Sequence, residues 1–104
     1  MLINITTPNL SNADKAFLTA AFEESDSTYA VYAVCTGDGV YAPALHPDLF
    51  VALARLAQPE TTLRVAVVDG DAASRGAQLP EHITSITLNE FAALSANCTQ
   101  WVTL

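Results

Sequence analysis

The chain has 104 residues, 51% apolar and only 14% charged, with a formal net charge of −7. Its four cations, Lys15, Arg55, Arg64 and Arg75, are scattered, which argues against direct contact with a nucleic-acid phosphate backbone. Two cysteines and two distant histidines are too few for a disulfide framework or a structural zinc site.

Leu2 to Thr6 reads as a short first strand, broken by Pro8 and Asn9. Ser11 or Asn12 caps a helix with Asp14 in its first turn. Ala13, Ala16, Phe17, Ala20 and Ala21 recur at helical spacing as its apolar face, and Glu23, Glu24, Ser25 and Asp26 mark its polar exit. Tyr29 to Cys35 is apolar without alternation, as expected of a strand covered on both faces. A Gly37-Asp38-Gly39 turn follows. Val40 to Leu45 reads as a helical turn cut by Pro43. Pro47 suits the first position of the next helix, with Leu49, Phe50, Leu53, Ala54 and Leu56 or Ala57 as its buried stripe and Pro59 as its end.

Leu63 to Val68 is a third strand, β-branched and buried in character. Asp69-Gly70-Asp71 reads as another strand-end turn, leading to a short helix over Ala72 to Arg75 that Gly76 stops. A fourth strand is expected over Ile83 to Leu88, then a helix capped by Asn89 that carries Phe91 and Leu94, then a fifth strand from Gln100 to Leu104. Strands alternating with helices imply an α/β fold: three α/β/α layers around a mostly parallel five-stranded sheet with right-handed crossovers. The expectation is one domain over residues 1–104. No apolar run approaches a membrane span, and no basic segment precedes an apolar one, so the expected location is cytoplasmic with reduced thiols. The low charge suggests surface covered by partner subunits rather than water.

The carboxyl ends of the strands are where ligands gather in open α/β sheets. Gly37, Asp38, Gly39 and Asp69 fall there. The glycines lack the third glycine of a dinucleotide fingerprint and the lysine of a phosphate loop, so they are read as turn residues that take positive φ. Asp38, Asp69 and Asp71 either converge on a cation or bond nearby backbone N–H groups. Cys35 is either a small buried hydrophobe or a working thiol at a helix start. No cation is near it in sequence, and Asp38 would oppose its ionisation. Cys98, between a helix and the last strand, is expected to be the more exposed thiol. His46 is placed to cap the helix at Pro47, and neither histidine has a triad partner at a recognisable spacing. Trp101 is either core or an interface anchor.

These residues carry a resemblance. The second strand followed by Asp38-Gly39-Val40-Tyr41-Ala42, the segment Asp71-Ala72-Ala73-Ser74-Arg75-Gly76, and the ending Asn89-Glu90-Phe91 through Leu94 to Gln100-Trp101 resemble the DsrH/TusB family of sulfur-relay proteins, over nearly the whole chain. The resemblance implies a DsrE/DsrF/DsrH-like fold. It also implies a place in a heterohexamer with TusC/DsrF-like and TusD/DsrE-like subunits that passes persulfide sulfur between proteins. The TusB branch supports 2-thiolation of a tRNA wobble uridine, and the DsrH branch serves sulfur oxidation. The principal sulfur-carrying cysteine belongs to the DsrE/TusD-like partner, and no cofactor is expected. The resemblance adds Tyr41, Arg75 and Gly76 to the candidate strand-end and interface residues. The chain departs from the family in its Leu2-Ile3-Asn4 start and in having no cysteine from Ala13 to Phe22; the latter favours the TusB-like branch. Two rivals remain at this stage: a sulfurtransferase using Cys35 or Cys98, and a stand-alone homo-oligomer binding a small ligand through Asp38 and Asp69.

Overall fold

The computed structural model describes residues 1–24, 30–58 and 61–104. The expected roles of Ser25, Asp26, Tyr29 and Pro59 lie outside the described residues. The described elements run β1 (Leu2–Ile5), α1 (Asn12–Glu23), β2 (Val31–Cys35), a 3-10 helix (Gly37–Tyr41), α2 (Ala42–Leu45), α3 (Pro47–Leu56), β3 (Leu63–Val68), α4 (Asp69–Arg75), β4 (Thr84–Ile86), α5 (Leu88–Asn97) and β5 (Trp101–Thr103). The five strands form one sheet in the order β4-β3-β2-β1-β5, and every pairing is parallel.

The order explains the layers. From β1 to β4 the chain steps in one direction across the sheet, so right-handed crossovers put α1, α3 and α4 on one face. The step from β4 to β5 reverses and puts α5 on the other. The cores agree. Leu18 and Phe22 of α1, Phe50 and Leu53 of α3, and Ala72 of α4 pack with Ile3, Ile5, Val31, Ala33, Cys35, Val65 and Val67. Phe91 and Leu94 of α5 lie on a smaller cluster of Leu2, Val34, Ala66, Val68, Ile86 and Cys98. Residues of β2 and β3 are thus buried on both faces, which is why neither strand alternates. In register, Ile5, Cys35 and Val67 stand side by side under the three-helix face.

Local signals set the helix ends. The Ser11 hydroxyl accepts the Asp14 N–H at 3.0 Å, and the Asp14 carboxylate accepts the Ser11 N–H at 3.2 Å, closing a capping box. The face of α1 is rotated from the expected one: Leu18 and Phe22 are buried, whereas Ala13 and Ala16 are exposed. Small alanines set the periodicity in the sequence, but the two large side chains gain more by burial, roughly 1.5–3 kcal/mol each. Helix α5 begins two residues earlier than expected, capped by Thr87 with Glu90 rather than by Asn89. That shortens β4 to Thr84–Ile86. The pattern Thr87-x-x-Glu90 is the signal that reading passed over.

Candidate functional site at the carboxyl ends of the strands

The segment after β2 is a 3-10 helix, not a turn. Gly37 opens it with φ +55°, as its turn reading requires. Gly39 serves differently. Its φ is not positive, but a Cβ there would overlap the Ile5 carbonyl group. The helix therefore presses directly on the end of β1. The Thr36 N–H reaches the Ile5 oxygen at 3.0 Å, and the Thr36 hydroxyl donates to Asn4 Oδ1 at 2.6 Å. Because Thr36 is so engaged, its side chain does not cap the 3-10 helix.

The cap comes from α4. Asp71 Oδ2 accepts the Gly37 N–H at 2.8 Å. One helical turn on, Arg75 Nε donates to Asp38 Oδ1 at 2.9 Å, across 37 positions of sequence. Arg75 Nη1 lies 4.0 Å from Asp71 Oδ1, and the Tyr41 hydroxyl donates to the Arg75 carbonyl at 2.8 Å. Gly76 then ends α4 in the left-handed region, φ +62°. The hydrogen bond to Asp38 holds the Arg75 guanidinium above its ordinary pKa, and the charges of Asp38 and Asp71 act in the same direction. The fold thus joins Gly37, Asp38, Gly39, Tyr41, Arg75 and Gly76 in one clamp between the ends of β2 and β3.

The geometry refines three expectations here. Asp69-Gly70-Asp71 is the first turn of α4 itself, since Val68 is already the N-cap. Asp69 is exposed there and makes no bond to the clamp among the described residues. The three aspartates do not converge on a cation: Asp38 takes the guanidinium and Asp71 an N–H group, and no group of three metal-ligating side chains occurs among the described residues. His46 is the N-cap of α3 as expected, its carbonyl accepting the Phe50 N–H at 3.2 Å, but its side chain makes no cap bond. Its Nε2 lies 3.1 Å from both the Leu10 N–H and the Pro8 carbonyl oxygen, tying the β1–α1 connection to the start of α3.

The thiols lie elsewhere. Cys35 is fully buried among Ile5, Val67 and their neighbours. Burial pushes its thiol up to about 12, so at neutral pH it is protonated and inaccessible, without the activation a nucleophilic thiol needs. Cys98 is the more exposed of the two, as expected, yet at 9% exposure it too is buried. It closes α5 as C-cap and turns under it onto Leu2 and Val34. A cysteine between two largely exposed elements thus points inward.

Trp101 is at the other end of the molecule. It starts β5 opposite Leu2, at the amino ends of the strands, and is 62% exposed. Core is therefore ruled out. A cavity of about 500 Å3 runs beside α5 over the sheet, with Tyr32, Val34, Ala66, Ile86 and Leu94 among its walls. It does not reach the strand-end clamp.

No protein-family model and no curated protein sequence matches the chain. In fold it is similar to the crystal structure of the ychN protein from E. coli, with a TM-score of 0.72, covering 99% of this chain and 97% of that one at 17% sequence identity. At that identity the likeness is one of architecture: an α/β sandwich built on a five-stranded parallel sheet.

Proposed function

We propose that this chain is a TusB-like subunit of a sulfur-relay complex, supporting 2-thiolation of a tRNA wobble uridine without itself carrying the sulfur. The observation that carries the reading is the burial of both thiols, with Cys35 pushed up to about 12. A persulfide carrier must expose a low-pKa sulfur to two successive proteins, and this chain holds no such group among its described residues. Its acidic surface and scattered cations likewise leave tRNA contact to partner chains. The strand-end motif that prompted the family resemblance is a clamp with every charge engaged, which suits a scaffold. Partners of the TusC/DsrF and TusD/DsrE type supply the reactive cysteine in this reading.

The test is co-expression with TusC-like and TusD-like chains from the same genome. All three are expected to co-purify, and a radiolabelled persulfide is expected on the TusD-like chain alone. Failure of this chain to associate, or label on Cys35 or Cys98, overturns the proposal. Loss of wobble-uridine thiolation on deleting the gene separates the tRNA branch from sulfur oxidation.

A further inference from the structure

We propose that the open edge of β5 pairs with β5 of a second copy of this chain, joining two sheets into one continuous sheet about a two-fold axis. The edge is chemically incomplete. The Leu2 N–H donates to Gln100 O, and the Leu104 N–H to Asn4 O. Alternation along the strand therefore turns the main-chain groups of Trp101 and Thr103 outward, away from β1. An outward row of this kind is satisfied by another strand, and proteins that do not use it guard it with charge, proline or a bulge. Gln100 to Leu104 contains no charged residue and no proline.

Charge selects a second copy. The chain carries −7 overall, yet from Leu88 to Leu104, which span α5 and β5, the single Asp, Glu, Lys or Arg is Glu90. Elsewhere two copies would set acid against acid; here they meet without like charges facing one another. The opposite edge differs, because Pro80, Glu81 and His82 lead directly into β4. The side chains fit the same occupant. Trp101 is 62% exposed and Leu88 67%, and no residue of α5 is buried. The Trp101 indole N–H donates to Ser95 O at 3.2 Å, which fixes the ring beside α5. A two-fold axis normal to the sheet runs the two β5 strands antiparallel, sets the tryptophans near the axis, and places both α5 helices on one face, where they cover what each leaves bare. Such an interface is isologous, the commonest kind in soluble oligomers. It is independent of the sulfur-relay reading.

The experiment is sedimentation equilibrium of the full chain, alone, up to about 100 µM, since a dimer depends on concentration by mass action. The expected species is twice the 11.0 kDa chain mass. Thr103→Pro removes an outward N–H and no bond to β1, a placement edge strands tolerate. Trp101→Lys sets two cations near the axis. Each is expected to raise the dissociation constant on the order of tenfold or more, and Thr103→Pro to leave the thermal melt of the monomer unchanged. A monomeric wild-type chain overturns the proposal, as does a dimer indifferent to both variants. If the wild-type chain is monomeric and the variants instead lose a co-expressed relay subunit, a heterologous strand is the occupant and the second copy is excluded.

Discussion

The two faces of the sheet are built from the same strands yet are finished differently. One is covered by α1, α3 and α4 and holds the large buried side chains Phe22, Phe50, Leu18 and Leu53. The other has α5 alone, with Phe91 and Leu94 only partly buried and a cavity beside them. The difference follows from topology: three crossovers in one direction and one in reverse leave one helix where three stand opposite. Stability is concentrated on the first face. The second is left as surface.

Truncating one phenylalanine on each face measures the contrast most directly. Phe50→Ala is expected to cost about 3–5 kcal/mol, the range for emptying a packed core site. Phe91→Ala, on the sparse face, is expected to cost about 1 kcal/mol; chemical denaturation of the two variants checks both. Equal losses would mean that α5 is as integral as α3. Gly39→Ala comes next. Its Cβ meets backbone at Ile5, which cannot swing aside as a side chain would, and a loss of about 2–3 kcal/mol is expected. Gly37→Ala offers a control that has open space and suffers only from its positive φ, about 1 kcal/mol.

Cys35 sharpens the comparison through pH. Its folded thiol is raised from 9.0 to about 12, so the unfolded chain loses its proton first. The contribution to stability is complete below pH 9.0 and drains away as pH rises toward 12. The urea midpoint is expected to fall across that window in the wild-type chain and less in Cys35→Ala, after allowing for the smaller core of the variant. At neutral pH, alkylation of Cys35 should proceed only as fast as the fold opens. The smallest effect is reserved for the exposed pair at the strand ends. Asp38→Asn is expected to leave the melt nearly unchanged, because solvent screens such pairs. Its mark should be faster hydrogen exchange at Gly37 and Gly39 once Arg75 is released.

Much of this was legible in the residues. Apolar runs at Val31–Cys35 and over residues 65–68 announced strands covered on both faces, and Ser11, Pro47 and Gly76 fixed helix ends by their own chemistry. What escaped depended on residues distant in sequence. Nothing local to Asp38 reveals that Arg75 stands beside it, nor local to Gly39 that the Ile5 carbonyl leaves no room for a Cβ. The same holds for His46, whose ring turns to the β1–α1 connection instead of its own helix. Cys98 misled because its neighbours are exposed while its own side chain faces the sheet. In the candidate site the motifs named the segments, and only the fold assigns their contacts: Asp71 as cap, Arg75 as tether, Asp69 as bystander.

The placement of β1 between β2 and β5 has a consequence in time. Thr6 donates through both its N–H and its hydroxyl to Leu104 O, a partner 98 positions away. A ribosome delivering the chain amino end first releases β1 before the other four strands and its neighbour β5 after them. Until β5 emerges, β1 has one flank without its native neighbour, and the hydrogen-bonding groups there wait for residues not yet made. The nascent chain is thus open to stray strand pairing on that flank until β5 has emerged, and a pause just before Trp101 prolongs the exposure with the other four strands already made.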